Sequence, residues 1–276
     1  MGKVAHRQNK VFNCDKIGLM SWSQKRQLVY ASIVLFFVLV VVGTPTYYTF
    51  FNIRATCTDG AQNQNEIGVD CGGPCARACP AQVVDLPVTT WSRAFPVAGG
   101  IYNLVAYVQN PNVNYVAQPS QYIFRVYDGD NVLIGVRKGF ADVPPTKTFP
   151  IFEQGFDVGS RVPAKVFFEF IRGLTWIRYD GTKPELDVTD ESLSNASSSP
   201  RIDAILVNKT IYTYKKVEVV ALVYDDQGNA MASSRTFVDT LPGTGNAPLV
   251  FTWPTAFPAP VSKIEIVPKL SVSTLQ

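Results

Sequence analysis

Four of the five cysteines lie in one short segment, and they are the residues with the clearest capacity for chemistry. They are Cys57, Cys71, Cys75 and Cys79. The segment around them, residues 55–81, has few large apolar side chains, so it cannot bury a core of its own and needs crosslinks. An even number of clustered cysteines in an exported chain predicts two disulfides, and the spacing leaves all three pairings open.

Two metal sites are alternatives for the same segment. Four thiolates can hold zinc, but the spacing C-x13-C-x3-C-x3-C lacks the short paired C-x2-C units that such sites favour. Calcium is the second alternative, because Asp59, Asn63, Glu66 and Asp70 offer hard oxygen ligands in a glycine-containing loop. The spacing is not that of an EF-hand, and polar turn residues of a stapled loop explain the same pattern. We expect no other cofactor.

The single histidine, His6, limits the enzyme chemistry open to this chain. It lies in the N-terminal tail, so the rest of the chain has no histidine for a Ser-His-Asp or Cys-His catalytic set or for a zinc site. A carboxylate pair can act on glycosides without histidine. Asp142 and Asp239 recur at equivalent positions of a repeat described below, and capping of equivalent turns is the simpler interpretation of both.

Three tryptophans outside the apolar N-terminal run are candidates for sugar binding. Trp91, Trp176 and Trp253 lie in a sequence rich in aromatic residues, which make up 12% of the chain. Sugar binding needs an exposed aromatic face, whereas packing in cores and loops explains aromatic residues in most β-proteins. We expect packing, with Trp176 near the junction between two domains.

An uncharged segment near the N-terminus predicts a membrane anchor. Residues 1–27 hold six basic residues and one acidic residue, and residues 28–51 hold no charge at all. As a helix, residues 28–51 would reach about 36 Å, which exceeds the hydrocarbon thickness of a bilayer. The basic residues on the N-terminal side predict that the tail stays in the cytoplasm. The membrane lipid is therefore the first partner we expect.

A cleaved signal peptide is the alternative for this segment. Its tail of 27 residues is long for a signal peptide, and Pro45 follows the small residue Gly43 at the only plausible cleavage site. Pro45 also weakens a straight helix, so residues 28–44 are expected to do most of the spanning. Either interpretation places residues 55–276 outside the cytoplasm. Cys14, in the tail, is expected to be a reduced thiol.

The remainder of the chain contains an internal duplication. Four blocks recur in the same order, and the paired segments are 104–110 with 204–208, 124–131 with 221–229, 139–145 with 236–242, and 164–170 with 262–268. Tyr127 and Tyr224 lie about 97 positions apart, and the other pairs keep almost the same offset. A period of this length fits a sandwich domain. We therefore predict two homologous domains, residues 82–172 and 183–272.

The local patterns of both halves predict β-strands. Leu104, Ala106 and Val108 alternate with positions expected to face outward, and residues 202–206 repeat the pattern. Turns rich in Asp, Gly and Asn separate the strands. The fold class expected is all-β, with two tandem immunoglobulin-like sandwiches; a single-sheet repeat is the alternative. The serine-rich stretch 192–200 corresponds to a loop inside the second domain, with a linker as the other interpretation.

Two parts of the chain resemble known families. Residues 57–79 are similar to a short C-x-DG-x-x-NQ-x-E-x-GVDCGG-x-C module of bacterial surface and secreted proteins. The blocks around Tyr127-Asp128 and Tyr224-Asp225 resemble FxLYD-type and related immunoglobulin-like bacterial domains. The combination with one transmembrane helix resembles uncharacterised membrane-anchored bacterial proteins. The resemblance implies a location and an architecture, and no activity.

These observations lead to one expected function and one alternative. The expected function is that of a non-catalytic protein, anchored in the cell membrane, which presents tandem β-sandwiches outside the cytoplasm for binding or for envelope structure. An envelope protein or a glycan would be the partner, and the net charge of +3 is too small to argue for nucleic acid. The alternative is a carbohydrate-active or envelope-processing protein that uses carboxylates and aromatic loops.

Overall fold

A computed structural model describes residues 21–50, 56–171, 173–181 and 183–272. The chain divides into an N-terminal unit, residues 1–55, and a larger unit, residues 56–276. Most of the predicted cytoplasmic tail, including Cys14, lies outside the described residues, as does the last residue of the predicted span, Phe51.

The described part of the N-terminal unit is one long apolar helix. It comprises α1 (Trp22–Val38), a π-helical turn (Leu39–Gly43) and α2 (Thr44–Phe50). Ser21 begins it with a capping box, in which the Ser21 side chain accepts from the Gln24 backbone N–H. The stretch from Trp22 to Tyr48 has a mean hydropathy of 2.4 and no buried residue, so it is long and apolar enough to span a membrane.

Pro45 does not interrupt the helix, which continues to Phe50 and so covers almost all of the predicted span 28–51. Proline has no N–H to donate, and its ring clashes with the carbonyl four residues earlier in a regular α-helix. The π-helical turn directly before Pro45 widens the helix there. Thr46 Oγ1 also donates to the Val42 carbonyl at 2.6 Å.

Seven strands form the first part of the larger unit. They are β1 (Val88–Ala98), β2 (Ile101–Gln109), β3 (Tyr115–Tyr127), β4 (Leu133–Val143), β5 (Thr148–Asp157), β6 (Lys165–Phe170) and β7 (Trp176–Arg178). One sheet has the order β1-β2-β5, and the other has the order β4-β3-β6 with β7 paired to β3. The two sheets enclose a core around Phe124, Phe149 and Leu104. We refer to this part as the first sandwich.

Six further strands form the second sandwich. They are β8 (Leu186–Ser194), β9 (Arg201–Asn208), β10 (Tyr214–Tyr224), β11 (Ala230–Leu241), β12 (Asn246–Thr252) and β13 (Lys263–Lys269). Their sheets have the orders β8-β9-β12 and β11-β10-β13, which repeat the orders β1-β2-β5 and β4-β3-β6. Residues 195–200 form the loop between β8 and β9. The predicted all-β fold class is confirmed.

The two sandwiches pack sheet against sheet. Val105 of β2 and Phe152 of β5 meet Val220 and Leu222 of β10 in one apolar cluster, and Val105, Val220 and Leu222 are fully buried. We call this contact the seam. The sandwich core covers one face of each central strand, β2 and β10, and the seam covers the other. Burial of both faces explains the uninterrupted apolar runs in these two strands. The positions of β2 expected to face outward therefore face the other sandwich instead of solvent.

Candidate functional site

The four clustered cysteines form two interlaced disulfides. Cys57 pairs with Cys75 and Cys71 pairs with Cys79, with Cα atoms 5.6 and 5.0 Å apart respectively. These separations are normal for disulfides. Of the three pairings that the spacing left open, the tertiary structure selects this one. With all four sulfurs oxidised, the cluster offers no thiolate to zinc.

The oxygen atoms of the predicted calcium loop hold the loop backbone. Asp59 Oδ1 accepts from the Ala61 N–H at 2.9 Å, and Asp59 Oδ2 accepts from the Asn63 amide at 2.9 Å and from the Thr56 N–H at 3.0 Å. These bonds, that of Asn63 above all, lower the pKa of the Asp59 carboxyl. Both oxygens of Asp70 accept from the Gly60 N–H.

Glu66 is the buried acidic residue of this loop. Its Oε2 accepts from the backbone N–H groups of Asn63 and Asp70, at 3.3 and 3.2 Å, and its Oε1 lies 3.0 Å from Cys75 Sγ. Among the described residues, the one set of acidic, cysteine or histidine side chains that converges at metal distance is Cys57, Glu66 and Cys75. Two of its three members are bonded to each other as a disulfide. A calcium site at Asp59, Asn63, Glu66 and Asp70 stays a prediction.

The cysteine-rich module is fastened to the first sandwich through β7. The Arg178 N–H donates to the Ala76 carbonyl at 2.7 Å, and the Ala78 N–H donates to the Trp176 carbonyl at 2.9 Å. The Arg178 guanidinium also reaches the Gly73 carbonyl at 2.8 Å. Residues 76–78 therefore lie beside β7 as a continuation of its sheet, and the module and sandwich form one body.

The three candidate tryptophans pack inside the larger unit. Trp176 is 3% exposed and donates from Nε1 to the Asp85 carbonyl. Trp253 donates from Nε1 to the Ser233 carbonyl, and Trp91 stacks on Tyr107 at the seam with ring centroids 5.4 Å apart. Trp176 and Trp253 are buried, and the partly buried Trp91 has one face of its ring against Tyr107, so the structure favours packing over sugar binding for these residues.

The two recurring carboxylates have different environments, so the interpretation that both cap equivalent turns is wrong. Asp142 lies near the end of β4, is 6% exposed and pairs with the buried Lys269 of the second sandwich. Asp239 lies on β11 and is exposed. The pair does not share one cleft, because Asp142 is enclosed between the sandwiches and Asp239 faces solvent.

Polar contacts flank the apolar centre of the seam. The hydroxyls of Tyr107 and Tyr224, one from each sandwich, donate to the two oxygens of Glu265 at 2.7 and 2.9 Å. Burial, with the neighbouring Glu265 carboxylate, raises the pKa of Tyr107 to about 12 and raises that of Tyr224 as well. The Arg93 guanidinium donates to the Ala230 carbonyl across the seam at 2.9 Å.

A third polar contact crosses the seam at Arg235. Its guanidinium pairs with Glu218 on its own sheet at 3.2 Å. The same group donates across the seam to the Phe152 carbonyl at 3.2 Å and to the Gln154 side chain at 3.1 Å. The exposed fraction of the Arg235 side chain is 18%, so water screens these interactions only in part.

The residues of the repeated motif hold turns in both sandwiches. Asn110 and Asn208 are each 1% exposed, and each side chain amide donates to a proline carbonyl 34 residues later, at 2.9 Å in both cases. Asp128 Oδ1 accepts from the Val132 and Asp130 N–H groups, and Asp225 Oδ1 accepts from the equivalent N–H groups of its own turn. These backbone hydrogen bonds are the largest cause of the lowered pKa values of both aspartates.

Comparison with known proteins adds little to this picture. No family model matches the chain, and no curated protein matches it. A solved structure with some likeness is that of red sea bream transglutaminase, at 9% sequence identity and a TM-score of 0.21. The match covers 68% of this chain and 31% of the transglutaminase chain, so the chain spans about a third of that protein.

Proposed function

We propose that the chain is a non-catalytic, single-pass membrane protein that presents a rigid pair of β-sandwiches outside the cytoplasm, where they bind an envelope protein or glycan or support the envelope. The N-terminus lies in the cytoplasm, and residues 28–51 contact the lipid. The observation that carries the proposal is the seam, since it joins the two sandwiches into one unit, and the same chain carries an apolar helix long enough to span a membrane.

The environments of the candidate catalytic residues support a non-catalytic role. Asp142 is buried in an ion pair and Asp239 is exposed, so the two carboxylates of the carbohydrate-active alternative do not face one substrate. A glycosidase places its two carboxyl groups on either side of one scissile bond. The oxidised cysteines likewise favour a compartment outside the cytoplasm.

Cysteine labelling in intact cells tests the topology. Ser198 is exposed in the β8–β9 loop, and Ser198→Cys offers a thiol on the second sandwich. We expect a membrane-impermeant maleimide to label that thiol in intact cells, and to label the native Cys14 only after lysis. Labelling of Cys14 but not of residue 198 in intact cells would reverse the orientation.

An assay on envelope glycan tests the absence of catalysis. We expect the purified full-length chain to release no reducing ends from isolated cell-wall glycan, whether or not it binds that glycan. Release of reducing ends that Asp239→Asn abolishes would establish the carbohydrate-active alternative. Crosslinking in the native envelope, followed by identification of the captured protein or glycan, then defines the partner.

A further inference from the structure

A buried lysine lies beside two carboxylates at one end of the seam. Lys269 is the last residue of β13, and its Nζ lies 3.6 Å from Asp142 Oδ1 of β4 and 3.9 Å from Glu218 Oε2 of β10. The side chains of Lys269 and Asp142 are 9% and 8% exposed. The ring of Phe149 lies 5.7 Å from the ammonium group and covers it from the first sandwich.

The two oxygens of Asp142 have different partners. Oδ1 faces the Lys269 ammonium, whereas Oδ2 accepts hydrogen bonds from the Ser271 hydroxyl at 2.8 Å and from the Val272 backbone N–H. Two donors on one oxygen orient the carboxyl group and stabilise negative charge that develops on that oxygen, as an oxyanion hole does. The other oxygen, Oδ1, is the one placed to leave.

We propose that Lys269 and Asp142 condense to an amide crosslink between the two sandwiches. Lys269 Nζ forms a bond to Asp142 Cγ, and the bond from Cγ to Oδ1 breaks. Of the three protons of the ammonium group, one stays on the amide nitrogen and two leave with Oδ1 as water. No atom is oxidised or reduced. Glu218, held by Arg235 at 3.2 Å, takes a proton first from the ammonium group and then from the nitrogen of the tetrahedral adduct, and delivers each of the two to the leaving oxygen.

Three features of the site favour the amide over the ion pair. Folding holds the amine and the carboxyl group together, which corresponds to an effective concentration of about 10⁵ M or more in well-oriented intramolecular reactions. Condensation replaces two buried charges by a neutral amide and so removes their desolvation cost. A cavity of about 210 Å³, lined by Pro144, Thr148 and Leu270 among others, adjoins Lys269 and gives the released water an exit.

The crosslink would change how the molecule carries force. It joins residue 142 to residue 269, so a pull on the C-terminal end passes directly into the first sandwich and bypasses the second. The inference goes beyond the proposed function, because the condensation needs only the folded chain and holds whatever partner the protein binds.

Mass spectrometry of the purified full-length chain tests the crosslink. We expect the intact mass to lie below the sequence mass, after allowance for both disulfides, by the mass of one water molecule. Digestion after reduction should then yield one branched peptide that joins the segments containing Asp142 and Lys269. An intact mass without the loss of water overturns the proposal, and so does a loss of water that maps to linear peptides, such as dehydration at Asp128-Gly129.

Variants separate the crosslink from a simple ion pair. Lys269→Arg keeps the positive charge and should retain the full mass, whereas Lys209→Arg, at an exposed lysine paired with Asp187, should still lose water. Glu218→Gln should slow the condensation by about 10²-fold or more, the usual loss for a missing proton carrier. A branched peptide in Lys269→Arg, or full-rate condensation in Glu218→Gln, would contradict the assigned roles.

Discussion

At the scale of single residues, two pairs of polar residues that recur in both halves of the chain hold turns. Asn110 and Asn208 each bridge a strand end to a distant loop from a fully enclosed position. Asp128 and Asp225 close equivalent hairpins. Repetition of a polar residue in a duplicated fold therefore indicates shared backbone geometry here, and not a shared ligand.

Replacement of a buried asparagine tests that role. Asn208→Ala removes the hydrogen bonds that the side chain makes to the Pro242 and Tyr212 carbonyls and to the Thr210 N–H. We expect a loss of about 1–3 kcal/mol in the free energy of unfolding, measured by urea denaturation. Asn246→Ala, at an exposed asparagine at the start of β12, is the matched control and should stay within about 0.5 kcal/mol. Equal effects of the two substitutions would contradict the role of Asn208.

The seam tyrosines predict a loss of stability at high pH. The pKa of Tyr107 is about 12 in the folded chain, above its value of about 10 in an unfolded one. The folded state therefore holds the phenol proton more tightly, so this stabilisation is complete below about pH 10 and disappears as the pH rises toward 12.

Urea denaturation between pH 9 and pH 12 measures this effect. We expect the unfolding free energy to fall in that range, and to fall less steeply in Tyr107→Phe, which has no phenol to titrate at the seam. Val250→Ala, which removes no titratable group, is the control and should leave the slope unchanged. Identical slopes for the wild type and Tyr107→Phe would show that Tyr107 does not contribute.

At the scale of elements, the cysteine-rich module lacks a core and is held by covalent and edge contacts. Its two disulfides interlace, and residues 76–78 extend the sheet at β7. Loop closure by a disulfide of this span is worth about 3 kcal/mol in the chain-entropy model. The module therefore depends on its bridges for order and on β7 for its position.

Single serine substitutions test the disulfide pairing. In Cys57→Ser, the freed thiol should be Cys75, while the bridge between Cys71 and Cys79 remains. Alkylation under native conditions followed by tandem mass spectrometry identifies the free position. Cys71→Ser is the matched variant and should free Cys79. Alkylation of Cys71 in Cys57→Ser would indicate a different connectivity.

At the scale of the whole molecule, the larger unit is a stack of four sheets in which the two inner sheets share the seam. Each inner sheet is covered on one side by its own sandwich partner and on the other side by the second sandwich. An apolar contact surface of this kind couples the stability of the two halves, since neither inner sheet can lose its neighbour without exposing apolar area.

Leu222→Ala tests the coupling across the seam. Leu222 is fully buried there, so its truncation should cost about 2–5 kcal/mol. We expect urea denaturation to show one cooperative transition for both sandwiches, displaced as a whole by the substitution. Val250→Ala, at a 39% exposed residue of β12, is the control. Two separate transitions, with only the second sandwich affected, would show that the halves unfold independently.

The amino-acid sequence by itself determined the features that depend on local pattern and composition. The uncharged run indicated an apolar helix, the alternating blocks indicated the all-β fold class, and four clustered cysteines indicated two disulfides. Each of these features follows from residues close together along the chain, where periodicity, charge and turn chemistry act directly.

Only the tertiary structure decided which distant residues meet. The positions around Val105 alternate as though one face met solvent, yet a second sheet covers that face. Asp142 and Asp239 look equivalent in the repeat, but only Asp142 meets Lys269, which approaches from a strand more than a hundred residues later. The disulfide pairing, too, was decided only by the tertiary structure. Contacts between sheets and between sandwiches arise from how whole surfaces pack. A local sequence pattern shows which face of a strand is apolar, but it does not specify which other surface will cover that face.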